Sequence, residues 1–144
     1  MKRVSAIKPA GASGAITDRV VLDADERQRR RIVLTSENGR KVLLDFPSPV
    51  TLRDGDALVL EDGSLIAVTG RAEPLIEVSA KTAEEFVRVA WHIGNRHTDV
   101  QFVEKALRIR QDHVLEEMVQ GLGGIMKPVE ASFDPKPAMP HHHE

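Results

Sequence analysis

Two hydrophobic rhythms divide the chain. Up to residue 70 the apolar positions come in short runs and alternations: Ile32-Val33-Leu34, Val42-Leu43-Leu44, Leu58-Val59-Leu60 and Leu65-Ile66-Ala67-Val68. Asn38-Gly39, Asp54-Gly55 and Asp62-Gly63 punctuate them, and such dipeptides readily supply the positive φ of a tight hairpin turn. No helical period of useful length occurs there, so the pattern predicts a small all-β domain over residues 1–70. Gly70-Arg71-Ala72-Glu73-Pro74 has the composition of a hinge. Beyond it Leu75-Ile76-Glu77-Val78 reads as a strand, and Thr82-Ala83-Glu84-Glu85 has the Thr-x-x-Glu form of a capping box. A helix follows with Phe86, Val89, Ala90 and Ile93 on one face, and Gly94 is expected to close it in the left-handed conformation. Strands are predicted over 100–104 and 106–110. A second helix, capped by Asp112, carries Leu115, Met118, Val119 and Leu122 and stops at Gly121, Gly123 and Gly124. The last strand is predicted over 127–133. The order β-α-β-β-α-β is the split arrangement of ferredoxin-like folds. The fold class is therefore α+β: an all-β domain (1–70), a ferredoxin-like domain (71–134) and a short disordered tail (135–144) punctuated by Pro135, Pro137 and Pro140.

Composition narrows the function. Lys and Arg number 20 against 22 Asp and Glu, and aromatics make up 3% of 144 residues. Neither the basic excess that phosphate backbones select nor the exposed rings of a base-stacking surface is present, so no nucleic-acid partner is expected. The chain has no cysteine, which excludes disulfides, thiolate catalysis and sulfur-ligated zinc or iron–sulfur centres. Met1 to Lys8 lacks the apolar segment of a signal peptide, and no apolar run approaches the ~20 residues needed to cross a bilayer. A cytoplasmic protein without a membrane partner is the expectation. The one charge run, Arg27-Gln28-Arg29-Arg30-Arg31, reads as a solvated strand start that discourages edge pairing, with a docking surface for an acidic partner as the alternative.

Six histidines change the picture. His92 and His97 lie at and just after the end of the first helix, His113 opens the second, and His141, His142 and His143 sit in the tail. A short His-rich tract in a segment with no packing role is a compositional sign of metal binding. With no thiolate available, the donors are nitrogen and oxygen, a set that suits nickel, copper or zinc. No His pair has the spacing of a chelate on one helix. A single loop imidazole can still make a two-imidazole site where two copies meet across a two-fold axis. His97 is the candidate for that position, His113 for a second site, and His92 for a group that orients the turn. Two alternatives remain on this reading. His97, Asp99 and His113 could form a metal-dependent hydrolase site, or the chain could be a protein-binding adaptor whose histidines are incidental.

Three stretches carry a family resemblance: Ala90-Trp91-His92-Ile93-Gly94-Asn95-Arg96-His97, Leu107-Arg108-Ile109-Arg110-Gln111-Asp112-His113-Val114-Leu115, and the terminal histidines. They resemble the UreE family, the urease accessory nickel chaperones, most strongly over residues 71–125. The resemblance implies a homodimer and no enzymatic activity. His97 would bind Ni2+ from both subunits at the interface, with Cu2+ or Zn2+ as further ions, the region of His113 would hold additional metal, and His141, His142 and His143 would supplement the central site. It also implies that residues 1–70 bind peptide, and that the partners are the urease apoprotein and its accessory proteins, including the GTPase. Gln111 stands where another His occurs in some members, and the tail holds three histidines, which implies a central site rather than a large metal store.

Overall fold

The structure is a computed structural model and describes residues 1–11 and 14–136. The chain divides into two compact units, Met1–Ala72 and Glu73–Glu144. Alternation builds the first. Strands β1 (Lys2–Lys8), β2 (Ile16–Leu22), β3 (Gln28–Thr35), β4 (Lys41–Thr51), β5 (Ala57–Leu60) and β6 (Leu65–Gly70) form one sheet in the order β2-β6-β5-β1-β4-β3. Every second residue points inward, so Leu34, Val42, Leu44, Leu58, Leu60, Ile66 and Val68 form a core that is almost wholly removed from water. Asn38-Gly39 does not make the two-residue turn that the dipeptide suggests. Thr35 pairs with Lys41, the Ser36 N–H donates to the Arg40 carbonyl at 2.8 Å, and only Gly39 takes a positive φ, 83°. The same arrangement recurs with Leu60 donating to Ser64 at 2.9 Å and Gly63 at φ 86°. Both are loops in which a left-handed glycine follows a right-handed pair, a longer solution to the same reversal.

Two charged side chains, Arg27 and Asp18, are buried in this unit, with Ser36 as a third buried polar residue. Arg27 is not solvated: it is 2% exposed, and its Nε and Nη1 donate to the carbonyls of Leu22 (3.2 Å) and Leu52 (3.4 Å). Arg29, Arg30 and Arg31 do face water, on the outermost strand β3. Asp18 is also buried, and its carboxylate accepts from the backbone N–H groups of Arg19 and Asn38, from Arg40 Nε at 3.1 Å and from the Ser36 hydroxyl. Burial alone would raise its pKa, but the hydrogen bonds from Ser36, Arg19, Arg40 and Asn38 outweigh it and hold the group down at about 2. A depressed folded-state pKa adds stability above the unfolded value, near 3.8, and loses it as pH falls toward the folded one. Asp18→Asn is therefore expected to weaken amide protection in β2 and β3 at neutral pH. The deficit relative to the parent should shrink as pH falls from about 4 to about 2, and a deficit independent of pH would contradict this assignment.

The second unit follows the β-α-β-β-α-β expectation. Strands β7 (Ala72–Ser79), β8 (Gln101–Val103), β9 (Ala106–Arg110) and β10 (Ile125–Ser132) form a sheet in the order β10-β7-β9-β8, with helices α1 (Ala83–Gly94) and α2 (His113–Gly121). That order is the ferredoxin-like one, and the fold class is α+β. β7 and β9 run antiparallel with Ile76 opposite Ile109 and Val78 opposite Leu107. Onto these four residues α1 presses Val89 and Ile93, and α2 presses Leu115 and Val119, each helix contributing an i, i+4 pair. β8 is shorter than the sequence pattern suggests, and β10 ends one residue before the buried Phe133. No helix among the described residues is long and apolar enough to cross a membrane.

Candidate metal centre

The end of α1 sets the position of His97. At its start Thr82 Oγ1 accepts from the Glu85 N–H at 3.1 Å, while the Thr82 hydroxyl itself donates to the Glu85 carboxylate. At its end the last bonds tighten. Asn95 N–H donates to Trp91 at 3.1 Å, Arg96 to Ile93 at 3.0 Å and His97 to Gly94 at 3.2 Å, the shift to i→i+3 spacing that winds down a helix. The left-handed residue is then His97, at φ 54°, and not Gly94, which belongs to the helix. His tolerates this region better than most side chains do, and here it carries the reversal while its own side chain is exposed.

Beyond the reversal the loop is held by side chains and backbone together. Arg110 Nη1 donates to the Asp99 carboxylate at 3.1 Å, and its guanidinium lies 5.0 Å over the ring of buried Phe133. Val100 and Lys136 exchange backbone bonds of 3.4 and 2.7 Å, so the chain leading to the tail leaves from beside the His97 loop. The sequence gives no local signal for either contact, since each joins positions distant along the chain.

His97 lines an open cavity of about 280 Å³ with Arg96, Thr98, Asp112, Val114 and Leu115, which brings the end of α1 to the start of α2. Asp112 caps α2, its carboxylate accepting from the Leu115 N–H at 3.0 Å. His113 is almost fully exposed, and its Nε2 lies 3.5 Å from Glu117 one turn along. Such a surface pair contributes little to stability. His92 packs its ring edge-on to Trp91 with centroids 5.0 Å apart, and it lines a different concavity with Ala83, Glu84, Val87 and Arg88. His141, His142 and His143 lie outside the described residues. Among the described residues no three His, Asp or Glu side chains gather closely enough to hold an ion. Asp99, paired with Arg110, does not complete a three-ligand group with His97 and His113.

Comparison with known families bears on both units. The family model for the UreE urease accessory protein C-terminal domain matches residues 73–144, and that for the UreE N-terminal domain matches residues 2–70. The chain belongs to the UreE family. It is similar to the urease accessory protein UreE of Rhodopseudomonas palustris (strain BisB18), with 53% identity over 136 residues, 90% of this chain and 64% of the relative. For the UreE of Bradyrhizobium sp. (strain ORS 278) the identity is 52% over 122 residues, 85% of this chain and 58% of the relative. For that of Rhizobium rhizogenes (strain K84 / ATCC BAA-868) it is 40% over 144 residues, 99% of this chain and 86% of the relative. The chain thus spans less than two thirds of the length of the first two. A UreE is by its name an accessory to urease, an auxiliary and not the hydrolase itself.

Proposed function

We propose that this chain is a cytoplasmic nickel chaperone of urease maturation that works as a homodimer, holding one Ni2+ between two copies of His97 and passing it to the urease apoprotein with the other accessory proteins, including the GTPase. The observation that carries the reading is the site itself: an exposed imidazole on a braced loop, in a chain of the UreE family, without a third His, Asp or Glu close by among the described residues. One such residue per chain makes an incomplete shell that a second copy doubles. An open shell exchanges its ligands, as a carrier must, whereas a closed four-ligand shell holds metal to stabilise a fold. Imidazole binds Cu2+ and Zn2+ as well, so the preference for nickel arises from geometry, supply or the recipient. The face that would join the copies is on α1, where Val87 and Trp91 are 66% and 64% exposed.

The tail is the second source of donors. From Lys136, bonded to Val100, five residues lead to His141 and can reach about 18 Å. Val100 is three residues from His97, and this short connection supports the reading that His141, His142 and His143 supplement the central site. His113, exposed beside Glu117, is proposed as a weaker second site. Equilibrium dialysis of the full chain is expected to find about one tightly held Ni2+ per two chains, and a form lacking residues 139–144 should keep that ion with weaker affinity. An unchanged isotherm would remove the tail from coordination. For delivery, the loaded chain should activate urease apoprotein together with its accessory proteins in the presence of a chelator that strips free nickel. Activation no better than with nickel alone would overturn the carrier role.

A further inference from the structure

The first unit carries a charged surface that the metal site does not use. Three arginines converge on one carboxylate: Asp45 is 3.0 Å from Arg31, 3.6 Å from Arg3 and 3.7 Å from Arg30. These guanidinium side chains remain 52 to 59% exposed, and Asp45 is the only carboxylate paired with them among the described residues. One anion orients three cations and neutralises one. Arg29, exposed on the same strand, adds a fourth, and Lys41, exposed on β4, a fifth.

The register places an apolar centre among these charges. In the β3–β4 pairing Arg31 stands opposite Asp45, Val33 opposite Leu43 and Thr35 opposite Lys41. On the other side of β4, Arg3 is opposite Leu43. Leu34, Val42, Leu44 and Val4 point into the core, so the alternating set of Val33, Leu43, Arg3 and Arg31 points out. Val33 is 50% exposed there.

We propose that this outward face of β1, β4 and β3 docks an acidic, extended segment of a partner polypeptide that alternates carboxylates with apolar side chains. Carboxylates meet the Arg3, Arg30 and Arg31 guanidiniums in charge-assisted bonds, and an apolar residue covers Val33 and Leu43 as the segment crosses this face. The apolar pair at the centre favours such a polypeptide over nucleic acid, which would need rings to stack on or an unbroken basic track. Nothing in this proposal requires metal, so nickel binding serves as an independent control.

A fluorescein-labelled peptide of about twelve residues alternating Glu and Val tests it on the full chain by anisotropy, against a Lys-Val peptide and a thymidine oligonucleotide of the same length. The Glu-Val peptide is expected to bind, to weaken with added salt, and to lose roughly 30-fold in affinity when Arg30→Glu and Arg31→Glu are combined, with nickel binding unchanged. Val33→Ser should cost roughly fivefold. If the Glu double variant unfolds, Arg30→Gln with Arg31→Gln is measured instead, with the same direction expected. Equal binding of the Lys-Val peptide, undiminished binding by a folded double variant, or an oligonucleotide bound as tightly through the same arginines would overturn it.

Discussion

Replacing His97 with Ala is expected to take bound Ni2+ from about one per two chains to none, with affinity falling at least about 100-fold. The effect is large because on the proposed reading one substitution removes two ligands, one from each copy, and no cluster of three His, Asp or Glu among the described residues stands ready to take over. Backbone and ligand effects must be separated, since His97 sits at φ 54° and Ala is less tolerant of that region. His97→Asn makes the separation: Asn adopts left-handed backbone readily but offers no imidazole. Both variants are expected to keep the far-ultraviolet circular dichroism of the parent and to lose the ion. If the Asn variant binds nickel as the parent does, position 97 is not the ligand.

Most of the second unit could be read from its periodicities. The change from alternation to an i, i+4 repeat is a property of neighbouring residues, so Val89 with Ile93 and Leu115 with Val119 were visible as core before any contact was known. The caps Thr82 and Asp112 were equally local. What sequence did not show depends on residues far apart. Gly94 has the greater freedom for a left-handed turn, yet the helix keeps it and hands the reversal to His97, three residues on. Asp99 could pass for a metal ligand by sequence, but it pairs with Arg110, whose guanidinium lies over Phe133. In the first unit Arg27 looks like its charged neighbours, but two carbonyls on separate segments draw it inside. Charge runs are a guide to solvation only where no buried acceptor competes for one of their members.

The proposed sharing of one ion makes a second demand, that the copies meet, and the exposed apolar residues on α1 are where that demand can be tested. Val87 and Trp91 lie four residues apart, hence one above the other, while Val89 and Ile93 of the same helix are fully buried in the core. A helix that buries one stripe and exposes a second, Trp-bearing one has the form of an interface anchor, where Trp is among the residues that contribute most. Val87→Asp with Trp91→Asp is expected to leave the unit folded, because Val89 and Ile93 are untouched, and to weaken self-association at least about 100-fold, as read by sedimentation across a concentration series. Nickel affinity should fall with it and become dependent on protein concentration, since half a site must first find its other half. His97→Ala, by contrast, should leave the dimer intact and lose only the metal. A folded double variant that remains dimeric would move the interface off this helix face, and one that becomes monomeric yet holds nickel as tightly would show that a single copy is sufficient.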